Sequence, residues 1–354
     1  MDLSPVVHAF LPEASVVSVQ PWGGGHINDT YLVTLTDAPR MILQRLNTRV
    51  FAKPRQVQEN IQTVTRALKA AILQEGGDPL RESLTFLETP QGLPYCQTKD
   101  GSFYRMMLFV EDTLCRELPR CPQDMYETGA AFGTFQHRLS SFPADTLHET
   151  IPGFHHTPSR LRQLREAIAR DQAGRLCRVE PECRFLLDRA GSAALLQDAA
   201  AAGQLPLRVT HNDTKCANVL LDASTGRGLC VCDLDTVMPG LSPYDYGDAL
   251  RSGACTAKED EGDLSLVHLS LEMARAFTDG FLEKVRYPAS ERELLPLGFW
   301  MITYEQAMRF LADYLDGDLY YKTEDPEQNL RRTRCQIALL SDIEVHRDAL
   351  QSLI

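Results

Sequence analysis

One polar stretch in the second half of the chain, Thr210-His211-Asn212-Asp213-Thr214-Lys215-Cys216-Ala217-Asn218, has the residue types needed to move a phosphoryl group. Its pattern is H-x-D-x-x-x-x-N. Asp213 can accept or orient the proton of an attacking hydroxyl. Asn218, five residues later, offers a neutral amide oxygen to magnesium. Lys215 follows the aspartate closely enough to reach a transferring phosphate. An apolar run from Val219 ends at Asp222, a turn spans 223–228, and a second run, Leu229 to Cys232, leads into Asp233-Leu234-Asp235. A short hairpin is the economical way to bring residues 218 and 233 around one ion. Asp233 is then expected to bridge the metal to the β- and γ-phosphates. Asp235, on the same side by strand alternation, is a candidate for a second ion or the substrate. His211 is expected to hold the loop rather than shuttle protons. Either motif alone is ordinary; their order, with one hairpin between, points to ATP and Mg2+ as cofactors.

The elements around this stretch fit the same chemistry. Short strands are expected at 16–19, 30–35 and 41–43, then a helix over 54–73 with Val57, Ile61, Val64 and Leu68 on one stripe. Gly76-Gly77-Asp78-Pro79 ends it, and further strands are expected at 84–87 and 104–108. Beyond Glu111 helices dominate, at 123–140, 159–170, 181–201, 265–285, 291–316 and 326–350, interrupted by the β segment 207–235. The outline is an α+β, protein-kinase-like two-lobed fold. A β-rich nucleotide-binding lobe, 1–110, precedes a mainly helical catalytic and substrate-binding lobe, 111–354, with an embedded catalytic β-hairpin. The crossover, including Phe109 and Val110, is expected to offer backbone groups to adenine. Gly23, Gly24 and Gly25 form a turn whose backbone N–H groups can cover phosphates. Asn28 occupies the last position of what would otherwise be G-x-G-x-x-G.

Composition narrows the partners. The formal net charge is −12, which argues against a general nucleic-acid or membrane-surface binder. No apolar run approaches the length of a membrane span, and the N-terminus lacks the pattern of a signal peptide, so a cytoplasmic location is expected. None of the ten cysteines forms a C-x-x-C pair, and free thiols are expected. The oligomeric state is not legible.

At these residues the chain resembles the aminoglycoside phosphotransferase/choline kinase superfamily. Asp233-Leu-Asp-Thr-Val-Met-Pro-Gly, Tyr244-Asp245-Tyr-Gly-Asp248-Ala-Leu-Arg251 and His211-Asn-Asp-Thr-Lys215 look most like bacterial N-acetylhexosamine 1-kinases. The likeness extends to Gly24-Gly-His-Ile-Asn-Asp-Thr-Tyr31, Ile42-Leu-Gln-Arg-Leu-Asn47 and Met308-Arg-Phe-Leu-Ala-Asp-Tyr-Leu315. It departs at the third strand. The superfamily's phosphate-binding lysine should stand near residue 44, where this chain has Gln44 and then Arg45. Gln44 can bond phosphate without charge. Arg45 has the charge but points to the opposite face of a regular strand. Glu59 is a conceivable ion-pair partner on the next helix and an equally ordinary surface glutamate.

The resemblance implies a small-molecule sugar acceptor, phosphorylated at its anomeric hydroxyl, with His26, Arg251, Arg309 and Tyr320 beside it along with Asp213. Each has a plainer reading. Arg309 is flanked at i±4 by Glu305 and Asp313 and could form an ion-pair ladder. Arg251 could partner nearby acids. Asp245 is expected to steady the catalytic loop. Ser252 stands where the resembled enzymes carry an aromatic. The competing readings are a kinase for another alcohol, of aminoglycoside, choline or homoserine type, and a nucleotide-binding pseudokinase.

Overall fold

The computed structural model describes residues 2–23 and 27–354. Chain contacts divide the protein into two compact units. One comprises 1–114, 138–151 and 219–238; the other comprises 115–137, 152–218 and 239–354. The hairpin that begins after Asn218 therefore groups with the strand-rich unit.

The first unit is built on an antiparallel sheet of β1 (Val16–Pro21), β2 (Asp29–Leu35), β3 (Met41–Arg45), β4 (Cys96–Gln97) and β5 (Phe103–Leu108), in the order β1-β2-β3-β5-β4. Alternation decides its two faces. Val33, Leu35, Met41, Leu43, Tyr104 and Met106 turn toward one core, which helix α1 (Ser4–Phe10) closes with Val6, Val7 and Phe10. Sequence reasoning did not anticipate α1, which is too short to show a helical period. The register sets Thr30 opposite Gln44 and Gln44 opposite Arg105, so these three polar side chains share a face. The strand expected at 84–87 reduces to a single bridge, Phe86 to Met107.

Helix α2 (Pro54–Gln74) begins with proline in its first turn and buries Val57, Ile61, Val64, Leu68 and Ile72. Its Asn60, 2% exposed, donates to the carbonyls of His148 and Val237 and accepts from the His148 amide. The antiparallel hairpin Val219–Asp222/Gly228–Val231 belongs to this unit, and Asp222 caps its turn through the amides of Ser224 and Thr225.

The second unit is helical. Helix Leu295–Asp316 is its axis, packed by helices Thr157–Arg170, Ser242–Gly253 and Gln328–Val345. Gly298 and Gly247 permit the closest crossing: a Cβ at Gly298 would lie 1.9 Å from the Pro243 carbonyl oxygen. The helix expected over 181–201 is two, Glu180–Leu187 and Leu195–Ala201, broken around Gly191. The expected 326–350 segment divides at His346. The cysteines are free, and among the described residues no helix is long and apolar enough to cross a membrane. A mixed α+β chain with an antiparallel first unit and a helical second one is the protein-kinase-like plan.

Candidate active site

In the second unit the loop 211–218 is bolted to helix Ser242–Gly253 by side chains that leave the helix on one face. Asp245 accepts from the amides of His211 (2.8 Å) and Asn212 (2.7 Å) and from the Gln136 side chain (3.0 Å). Asp248, one turn on, accepts from the Thr214 amide at 2.9 Å. The Thr214 hydroxyl donates to the Asp245 carbonyl. These bonds hold Asn212 at φ 65°, a left-handed conformation that asparagine tolerates better than most residues. His211 is fully buried, its ring edge-on to Phe132 and Phe135. It anchors the loop.

Asp213 emerges from this scaffold with its carboxylate about one-third exposed. Lys215 Nζ lies 3.0 Å from it, and the Asn218 amide donates to its side chain at 2.9 Å and to its carbonyl at 2.8 Å. Burial works against its ionisation, but Lys215, His211 and the Asn218 bond outweigh it and hold the carboxyl below the usual aspartate range. The group is an anion at neutral pH, ready to accept a proton. The structure therefore brings Asp213, Lys215 and Asn218 together.

The four residues expected to contact substrate part company. Arg251 spends its guanidinium on Asp248, through Nε and Nη2, and on Glu259, through Nη1 at 2.9 Å. It braces the carboxylate that holds Thr214. Arg309 is different. Among the described residues it makes no ion pair within 4 Å, and its one hydrogen bond there goes to Gln306. The i±4 ladder does not form, because Glu305 is taken by His155 (2.9 Å) and Thr157 (3.0 Å), and Asp313 by the amides of Leu319, Tyr320 and Tyr321. The Arg309 guanidinium instead sits 5.5–5.8 Å from the rings of Phe154, Tyr320 and Tyr321. Tyr320 is 61% exposed. The Tyr321 hydroxyl and Arg160 Nε beside this cluster are buried without hydrogen-bond partners. His26, like Gly24 and Gly25, lies outside the described residues.

Sequence reasoning missed His155. Its Nδ1 meets Glu305 and its Nε2 meets the Asn212 carbonyl at 3.2 Å. Both partners are acceptors, so both ring nitrogens must donate for both bonds to form. His155 thus links the loop to the arginine cluster. Glu305 is fully buried. That burial pushes its pKa up, but His155, Arg309 and Arg160 more than offset it and hold the carboxyl below the glutamate range.

In the first unit, Asp233 ends the hairpin at φ 57° and leads into one turn of 3-10 helix, Leu234–Thr236. Asp235, expected to face metal or substrate, is 3% exposed and ion-paired with Arg105; its other oxygen accepts from the Asn28 amide group. Each oxygen of Asp235 thus has a protein partner. Gln44 accepts from Arg105 at 2.7 and 2.9 Å and donates to Thr30 at 3.1 Å. Arg45 faces away on the other side of β3, exposed and paired with Asp29. Neither residue expected to replace the lysine presents a free cation. The buried cation beside position 44 is Arg105, from β5. The signal was an arginine inside the apolar run Tyr104–Leu108.

At the end of β5 the amides of Leu108 and Phe109 are bonded to Thr85 and Arg40, whereas the Val110 amide has no partner among the described residues. Trp22 meets the Phe109 ring edge-on at 5.6 Å. Gly23 adopts φ 72°, with open space where a Cβ would be. Among the described residues no three His, Cys, Asp or Glu side chains form a metal cage. Asn218 in the second unit and Asp233 in the first each carry side-chain oxygen, the donor type that magnesium takes.

Comparisons with known proteins agree with this arrangement. Solved structures of the same fold include a microcompartment-associated aminopropanol kinase, 15% identical over 99% of both chains at a TM-score of 0.57. An aminoglycoside phosphotransferase from Alicyclobacillus acidocaldarius is 16% identical over 97% of this chain and 96% of its own, at 0.61. An amicoumacin kinase, solved with AMP-PNP, Ca2+ and amicoumacin, is 14% identical over 96% and 93%, at 0.62. The family model described as the phosphotransferase enzyme family matches residues 18–280, well over half of the sequence and all of the loop and hairpin just described. The chain belongs to that phosphotransferase family.

Proposed function

We propose that this phosphotransferase moves the γ-phosphoryl group of Mg·ATP to the anomeric hydroxyl of a neutral hexose or N-acetylhexosamine, giving a sugar 1-phosphate. Bound magnesium would supply charge neutralisation at the β- and γ-phosphates, with Asn218 and Asp233 as its protein ligands. The Val110 amide and the Phe109 carbonyl suit the adenine edge. Gly23 to Gly25 suit the phosphates, a reading carried by sequence for Gly24 and Gly25. Asp213 accepts the hydroxyl proton as the sugar oxygen bonds to the γ-phosphorus and the bond to the β,γ-bridging oxygen breaks, releasing ADP. Lys215, beside Asp213, offsets charge on the phosphoryl oxygens. The C1–O bond is never broken, so the anomeric configuration is kept.

The observation that supports the acceptor class is Arg309, a cation with no directly bonded carboxylate among the described residues, set among three aromatic rings with Arg160 near it. Such a cluster repels an amine and offers donors to hydroxyl or acetamido oxygens, while rings pack on a sugar face. The structural relatives named above act on amino-bearing alcohols, and that is the second reading. The anomeric position rests on the sequence likeness to N-acetylhexosamine 1-kinases. Measuring ADP release across free hexoses, N-acetylhexosamines, aminoglycosides, choline, homoserine and aminopropanol decides between them. Turnover with sugars reducible at C1, lost on their 1-O-methyl glycosides, is expected. Turnover with the amines alone refutes the reading. Magnesium-dependent ATP binding with no transfer to any acceptor would favour a pseudokinase.

A further inference from the structure

The carboxylate of Asp235 joins three segments far apart in sequence. Its Oδ1 pairs with Arg105 of β5, and its Oδ2 accepts from Asn28 at 2.5 Å, a residue between the glycine turn and β2. Asn28 uses its own carbonyl oxygen to accept from the Asn47 amide at 3.0 Å. Arg105 is aimed by Gln44, and Gln44 by Thr30, a row set by the strand register. The chain of contacts therefore runs Thr30–Gln44–Arg105–Asp235–Asn28–Asn47, with Arg105 and Asp235 buried at its centre and the others partly buried.

Two of these contacts fix the turn that follows Asp233. Arg105 and Asn28 grip it through Asp235, and Asn60 grips its far end through the Val237 carbonyl. Asp233 itself is held at φ 57°, a conformation that costs free energy for any residue but glycine and persists only where neighbours impose it. Asn28, just before β2, bonds both Asp235 and the Asn47 amide.

We propose that Asp235 and Arg105 act as a positioning pair that sets Asp233 toward the metal, replacing the usual third-strand lysine by geometry rather than by a free charge. The inference rests on the nucleotide half of the proposed function and is independent of the acceptor.

The test is binding of Mg·AMP-PNP by titration calorimetry, with melting temperature of the ligand-free protein measured alongside. Arg105→Met and Asp235→Asn should each weaken binding about tenfold or more, as loss of an outer partner to a metal ligand commonly does. Arg105→Lys should fare no better than Arg105→Met. One ammonium cannot replace a guanidinium that meets Gln44 through two nitrogens and Asp235 through a third. Should the single variants fold poorly, Arg105→Met/Asp235→Leu removes both buried charges together and should melt near the wild type while still losing affinity. Four outcomes overturn the proposal. Wild-type affinity in Arg105→Lys makes Arg105 a simple phosphate cation. Loss in Asp235→Asn with both arginine variants intact makes Asp235 a metal ligand. Wild-type affinity in the folded double variant makes the pair purely structural. No magnesium-dependent binding in the wild type refutes the proposed function and this inference with it.

Discussion

Two arginines of the helical unit, Arg251 and Arg309, show how little a residue's type says about its use. Each stands in a helix, near acids in sequence, and each is expected at the acceptor. Arg251 meets Asp248 and Glu259 and ends as part of the scaffold under the catalytic loop. Around Arg309 the two acids that could have neutralised it are spent elsewhere, one on His155 and Thr157, the other on three backbone amides. What separates scaffold from binding surface is therefore the prior engagement of neighbouring carboxylates. The lesson is local and testable.

The largest effect is expected at Asp213, the group that the Arg251 side of the contrast exists to hold. Asp213→Asn should lower kcat by roughly a hundred- to ten-thousand-fold while leaving AMP-PNP affinity nearly unchanged. Turnover close to wild type would remove it from the mechanism. Arg309→Met comes next. If it binds the acceptor, KM for the sugar rises about ten- to a hundredfold, with KM for ATP and the melting temperature little altered. A large fall in stability with sugar KM unchanged would place it beside Arg251 as scaffold. Arg251→Met should give the mirror image, a loss of roughly 1–3 kcal/mol in stability from stranded acids, a reduced kcat, and a sugar KM near wild type. A selective rise in sugar KM would erase the distinction.

Smaller effects concern pH. The charge of Lys215 helps hold the Asp213 carboxyl down, so Lys215→Met should move the acid limb of the kcat profile to higher pH. An unmoved limb would assign it to another group. For Glu305 the folded-state pKa is depressed below its ordinary 4.5. Its stabilising contribution is thus complete above that value and disappears as pH falls through the folded-state one. The melting-temperature gap between wild type and Glu305→Gln should narrow on acidification through that range. A gap independent of pH would contradict the sign.

The H-x-D-x-x-x-x-N loop and the hairpin were legible because their spacing is local, whereas the bracing by Asp245, 34 residues from His211, was expected from the family resemblance. Asp213 and Asn218 are five residues apart, and a hairpin needs only a turn between two apolar runs. Arg105 was not legible, since its meaning depends on facing Gln44 across strands whose partners lie 61 residues apart. The same holds for His155 and Glu305, 150 residues apart. Strand alternation does not reach Asp235, because the strand ends at Val231 and Asp235 stands in the 3-10 turn Leu234–Thr236, where it meets Arg105 and Asn28. Helix Ser242–Gly253 was overlooked although Ser242-Pro243 begins it. There the acids drew attention to the loop they serve instead of to the helix that presents them.

The glycine crossing at 247 and 298 limits how this enzyme can change its acceptor. Helix Leu295–Asp316 carries the crossing near one end and Arg309 eleven residues further, about 16 Å along the axis. Any side chain at 298 would lever the helix off its neighbour, and with it the acids that seat the catalytic loop. If the acceptor is bound near Arg309 as proposed, replacements at the far end of that helix can alter substrate choice without moving the glycine crossing.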